Sequence, residues 1–185
     1  LNAGVLAIDR QPDGLHIKLE DGNTLVADSV LYATGRVPNL NGLGLDTAGV
    51  AQGAQGAIVV NAQYQTNMPH VFAVGDVTAR VQLTPVALGE AMVVVDQLFG
   101  PAAGKAPRQM AYDYIPTAVF THPNVGTVGL SEAQAREQFD HVNVFRSEFR
   151  SLKHTLSGSA ERTLMKLLVD TATDRVVGLH MVGAE

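Results

Sequence analysis

The sequence has no cysteine in its 185 residues. That excludes a disulfide scaffold, a thiolate zinc site and a thiol nucleophile within them, and leaves the redox compartment open. There is no excess of positive charge either: 13 Lys and Arg stand against 18 Asp and Glu, a net charge of −5. Phosphate neutralisation needs clustered cations, so nucleic acid is a poor candidate partner. No apolar run approaches the roughly 18 residues that span a bilayer. Apolar content itself is ample, with 46% hydrophobic and 17% charged residues, which suits a soluble globular chain rather than a disordered one.

The length allows one domain or two small ones. Leu1 stands in a strand-like segment, and residues 176–183 form another strand pattern at the far end, so a piece of a longer protein is expected. No basic segment followed by an apolar core and a small-residue cleavage site opens the chain, and a cytoplasmic location is expected.

Residues 1–8, 15–19 and 24–27 are apolar or alternating runs separated by Gln11-Pro12-Asp13-Gly14 and Asp21-Gly22-Asn23, a pattern that predicts a β-meander. Residues 29–33 form a continuous apolar strand pattern, buried on both faces, ending at Thr34-Gly35-Arg36. Residues 37–57 are rich in Gly and Asn and predict an irregular connection. Strands are expected at 57–61 and 71–74, then a helix over 85–99. Its polar stripe is narrow (Glu90, Asp96, Gln97), which predicts a buried helix, with Thr84 as N-cap, Pro85 at the first helical position and Gly100 past the end. Residues 101–108 are the best boundary. The 4 basic and 9 acidic residues of 1–100 give way to 9 of each. Beyond it the pattern predicts strands at 117–121 and 126–130, a helix at 132–139 with a Ser131…Gln134 capping box, and strands at 142–148, 163–169 and 175–181. This second part is an α+β module with antiparallel pairing.

Chemistry concentrates at Gly75-Asp76. Thr66, four variable residues, the apolar run 71–74 and then Gly-Asp place a glycine and a carboxylate at a strand end, where the backbone can approach a ligand and the carboxylate can accept from ribityl or ribose hydroxyls. Gly-Asp alone is more often an ordinary turn. The whole eleven-residue pattern, followed by the capped helix, resembles the second flavin-binding motif of the FAD-dependent pyridine-nucleotide disulfide reductases. Ala33-Thr34-Gly35-Arg36-Val37-Pro38-Asn39 resembles the segment that closes their NADPH domain, with Gly35 against a dinucleotide and Arg36 near its phosphates; alone, Arg36 reads as a solvated cation after a turn. Residues 115–130, with Thr121-His122-Pro123 and Gly126-Thr127-Val128-Gly129-Leu130, are similar to the start of the family's interface domain. Within the family that wording is nearest to the glutathione reductases, while dihydrolipoyl dehydrogenases and trypanothione reductases differ around His122 and Asn124.

The resemblance implies an α/β part followed by an α+β part: the tail of a Rossmann-like NADPH domain (1–38), a central FAD-contacting segment (39–109) and a truncated dimerisation domain (110–185). It implies FAD and NADPH as cofactors, glutathione disulfide or a similar small disulfide as substrate, and a homodimer through 110–185. Cofactor-binding residues would be Gly35, Arg36, Gly75, Asp76, Gln82, Leu83 and Thr84. No catalytic residue is expected in these 185, because the family's redox cysteine pair and acid–base histidine match none of them; alone they would be inactive. Many glutathione reductases carry an arginine for a glutathione carboxylate where this chain has Met92, which cannot make a bidentate charge-assisted contact. Either Arg146, Arg150 or Lys153 substitutes, or the disulfide differs; as plain surface charges the three basic residues would form a solvated face. A non-catalytic dimerisation module is the other reading.

The six histidines (His16, His70, His122, His141, His154, His180) include no pair three or four apart, so a helical metal site is not expected. For His122 a structural role beside Pro123 is preferred over a place in a substrate cleft. Residues 156–160 read as a turn rather than a nucleophile elbow, and Gly42-Leu43-Gly44 lacks the third glycine of a dinucleotide fingerprint.

Overall fold

A computed structural model describes residues 3–184. The chain divides into two compact units, residues 1–82 and 83–185.

The first unit opens with an antiparallel meander: β1 (Val5–Gln11), β2 (Gly14–Leu19) and β3 (Thr24–Ala27), in that spatial order. Its turns fall where the Asp-Gly sequences predict them. Residues 29–33, expected as a buried strand, form none, and Leu31 is 89% exposed. An apolar pattern supplies a strand's side chains but not its hydrogen-bond partner, and no described strand pairs with this stretch. The expected strands at 57–61 and 71–74 are reduced to two isolated bridges, Gln52 to Ile58 and Gln65 to Phe72. A single helical turn, α1 (Leu45–Ala48), lies between glycines in left-handed geometry. Val50, Ile58 and Ala73 form the local core, with Leu40, Leu45, Val60, Met68, Val71 and Val77 packed on it.

The second unit begins with α2 (Thr84–Phe99). A five-stranded antiparallel sheet follows: β4 (Thr117–Val119), β5 (Asn124–Gly129), β6 (Val142–Phe149), β7 (Thr163–Asp170) and β8 (Arg175–Gly183), in spatial order β4-β5-β8-β7-β6. The expected antiparallel pairing is present, as is the capping box of α3 (Glu132–Gln138): the Ser131 hydroxyl accepts from the Gln134 N–H while the Gln134 side chain accepts from the Ser131 N–H. Ala135 of α3 packs with Leu168 and Val177 to make the core of this unit. A short helix, α4 (Leu152–Ser157), runs into the turn read at 156–160 and is closed by Gly158 in left-handed geometry.

Two expectations for α2 are corrected. The N-cap is Leu83, without a side-chain cap, so Thr84 is already helical and Pro85 sits one position further in; the Leu83 carbonyl takes the N–H groups of Val86 and Ala87. The helix is also buried along one side only, which carries Val86 and Val93, and much of its remaining apolar surface is exposed. Leu88 is 63% and Phe99 83% exposed, whereas Glu90 and Asp96 are buried. The connection after the helix lies along its polar stripe: the Tyr112 hydroxyl donates to Glu90 at 2.5 Å, Arg108 donates from both its backbone N–H and Nε to Asp96 Oδ2, and Met110 lies over Gly89.

Candidate functional site

The threonine that opens the eleven-residue pattern is a buried structural residue. Its hydroxyl accepts from the Met68 N–H and donates to the Met68 carbonyl, and its N–H reaches the Val71 carbonyl. Asn67 ties this turn to an earlier one by accepting from the Ala51 N–H and donating to the Gly49 carbonyl. The chain then runs extended to Val74 and turns at Gly75, buried with φ of 73°. A left-handed residue there favours glycine, since any Cβ carries a steric cost.

Gly75–Thr78 form one 3-10 turn, locked by the Thr78 hydroxyl donating to the Gly75 carbonyl at 2.8 Å. The Ile58 N–H donates to the Val77 carbonyl and anchors the turn to the core. Asp76 is exposed on this fixed turn, and its carboxylate has no hydrogen bond or ion pair among the described residues. A rigid glycine beside an exposed, unengaged carboxylate is a suitable acceptor for sugar-like hydroxyls, so these residues fit the polyol chain of a flavin dinucleotide. Sequence reasoning missed Thr78, although its spacing of three from Gly75 was the available signal. It also missed Arg80, which donates to the Val60 and Asn61 carbonyls and lies over the buried Tyr64 ring at 5.3 Å, a cation–π pair that braces the chain leaving the turn.

Gly35 has φ of 106° with open space around the position a Cβ would take, and Arg36 is exposed in a non-regular stretch. Gln82 ends the first unit, half-buried. In the second unit the first turn of α2 has few N–H groups to offer. Pro85 has none and those of Val86 and Ala87 are used, which leaves Leu83 and Thr84 without a backbone acceptor among the described residues.

Met92 lies on the exposed apolar side of α2, at 38% exposure. Of the basic trio, Arg146 is engaged: it reaches Glu132 at 3.5 Å, alongside Arg136 at 2.8 Å and Lys166 at 2.6 Å. Hydrogen bonds from Lys166 and then Arg136 hold the Glu132 carboxyl at about 2. Arg150 is exposed after β6, and Lys153 belongs to α4. Among the histidines, His180 lies between the Thr127 hydroxyl at Nδ1 and the Leu130 carbonyl at Nε2, 2.5 and 2.9 Å away. An acceptor at Nε2 requires the proton there, and in the neutral ring Nδ1 then accepts from Thr127. No group of three or more potential metal ligands occurs among the described residues.

Two family models match in succession: the pyridine nucleotide-disulphide oxidoreductase model over residues 1–91, and the dimerisation-domain model of the same name over residues 115–185. The chain is 46% identical to a glutathione reductase of Nostoc sp., covering 97% of this chain and 41% of that protein. It is 41% identical to the trypanothione reductase of Trypanosoma congolense, covering 95% and 35%. Among solved structures it resembles the HOCl-induced flavoprotein disulfide reductase RclA of Escherichia coli, at 29% identity and a TM-score of 0.83, over 100% of this chain and 41% of that one. The chain thus spans about 40% of the length of the glutathione reductases it resembles.

Proposed function

The chain belongs to the pyridine nucleotide-disulphide oxidoreductase family, and on that premise we propose that it forms part of an NADPH-dependent, FAD-containing reductase of glutathione disulfide. What carries this reading is likeness along the whole chain, 46% and 45% identity to two glutathione reductases, with both family models in order. The flavin, when bound, would pass electrons from the nicotinamide to a dithiol.

The chain's own share is binding and assembly. Asp76 would accept hydrogen bonds from the ribityl hydroxyls, with Gly75 allowing close approach. The N–H groups of Leu83 and Thr84, with the backbone of Gln82, would face the flavin ring, where a helix N-terminus favours developing negative charge. Gly35 and Arg36 would close the nucleotide domain formed in part by residues 1–38, residues 39–109 would contact FAD, and residues 110–185 would join two copies in a cytoplasmic homodimer. With no cysteine, these 185 residues alone would show no disulfide turnover.

Met92 favours a second reading of the substrate. Unless Arg146 or Arg150 serves a carboxylate in its place, the natural disulfide differs from glutathione, as in the trypanothione reductases to which the chain is also similar. A chimera in which residues 1–185 replace the matching stretch of the Nostoc glutathione reductase tests both. NADPH-dependent turnover of glutathione disulfide is expected, and a folded, flavin-loaded chimera without it would contradict the glutathione assignment. Met92→Arg should lower KM for glutathione disulfide about tenfold with little change in kcat, the scale of one charge-assisted hydrogen bond. An unchanged KM would show that another group already serves the carboxylate, or that this position does not meet the substrate.

A further inference from the structure

Asn41 is the only asparagine of the chain followed by glycine. It lies in a tight turn closed by the Leu43 N–H donating to the Leu40 carbonyl at 3.3 Å, with Gly42 at φ of 78°. Its side chain is exposed and makes no hydrogen bond among the described residues, and a Cβ at Gly42 would meet nothing within 4 Å. The Gly42 N–H has no backbone acceptor among the described residues. An untethered carboxamide thus stands next to an unhindered, unengaged amide nitrogen.

Three other asparagines are held. Asn61 Oδ1 accepts from the N–H groups of Gln63 and Gln65, Asn67 is bonded through both side-chain atoms, and Asn23 donates to Asp21. A carboxamide fixed in this way cannot turn its carbon toward the following nitrogen.

We propose that Asn41 is a site of spontaneous deamidation through a succinimide. The Gly42 nitrogen, on losing its proton, attacks Cγ of Asn41; the N–Cγ bond forms, the Cγ–Nδ2 bond breaks and ammonia leaves with the proton. Water then opens the ring at either carbonyl, giving aspartate or isoaspartate. No oxidant or reductant takes part. The position gives the change its effect: Leu40 and Leu45, on either side of the turn, both pack on the Val50, Ile58 and Ala73 core. Isoaspartate adds a methylene to the main chain between these two anchors, so the modification loosens the first unit as the protein ages.

The test holds the purified full chain at neutral and at mildly alkaline pH, native and in denaturant, and follows every asparagine by peptide mapping that separates aspartate from isoaspartate. Asn41 is expected to convert first, faster at the higher pH and at a similar rate in native and denatured chains, with Asn61 and Asn67 protected only when native. Asn41→Gln should lose the conversion while leaving the fold intact. Persistence of the Asn41 amide while another asparagine reacts, or strong protection of Asn41 in the native chain, would overturn the proposal.

Discussion

Glu132 shows how one side chain can join elements distant in sequence. It is the first residue of α3, yet its carboxylate gathers Arg136 from its own helix, Arg146 from β6 and Lys166 from β7. Lys166 and then Arg136 lower its folded-state value to about 2 from an ordinary 4.5. A depressed carboxyl value stabilises the fold above the unfolded-state value, and that contribution is lost as pH falls through the folded-state one. Acid titration of the second unit should therefore show a loss of stability between pH 4.5 and about 2, followed by thermal melting; Glu132→Gln should flatten that slope. At Gly178 backbone shape decides. An added Cβ would stand 2.3 Å from the Leu130 carbonyl oxygen and 3.0 Å from Leu168, directly across from Gly129 in the β5–β8 pairing. Gly178→Ala should cost about 3 kcal/mol, read by denaturant unfolding. Neither effect was legible beforehand. The sequence shows Glu132 as a helix start and Gly178 as one strand residue, but their neighbours come from chain 34 and 48 residues further on or back.

At the scale of elements, legibility followed locality. The α3 capping box was readable because donor and acceptor are three residues apart, and Ser131→Ala should destabilise the second unit by about 1 kcal/mol in thermal melts. The meander and the antiparallel pairing of the second unit were readable for a related reason: turn residues and alternation are local signals. The strand expected at 29–33 was not, because pairing is a property of two segments and the pattern belongs to one. The orientation of α2 also went unread. Its apolar residues dominate its composition, yet Glu90 and Asp96 face inward, where Tyr112 bonds the Glu90 carboxylate and Arg108 the Oδ2 of Asp96, from 22 and 12 residues later. The Gly75–Thr78 turn combined both cases: Gly-Asp marked the place, and the Thr78 hydroxyl that fixes it showed only in the structure.

For the whole molecule, the cysteine-free composition excludes thiol chemistry within these 185 residues. Two family models in succession, with a TM-score of 0.83 to a flavoprotein disulfide reductase, place the chain in a disulphide oxidoreductase family whose match includes a dimerisation domain. The proposed hold of Asp76 on the flavin is read in the FAD content of the folded Nostoc chimera with and without Asp76→Ala. The parent chimera should purify with stoichiometric FAD and the variant should lose most of it while keeping its secondary structure and melting cooperatively; a variant that retains FAD as fully as the parent would show that Asp76 does not hold the flavin.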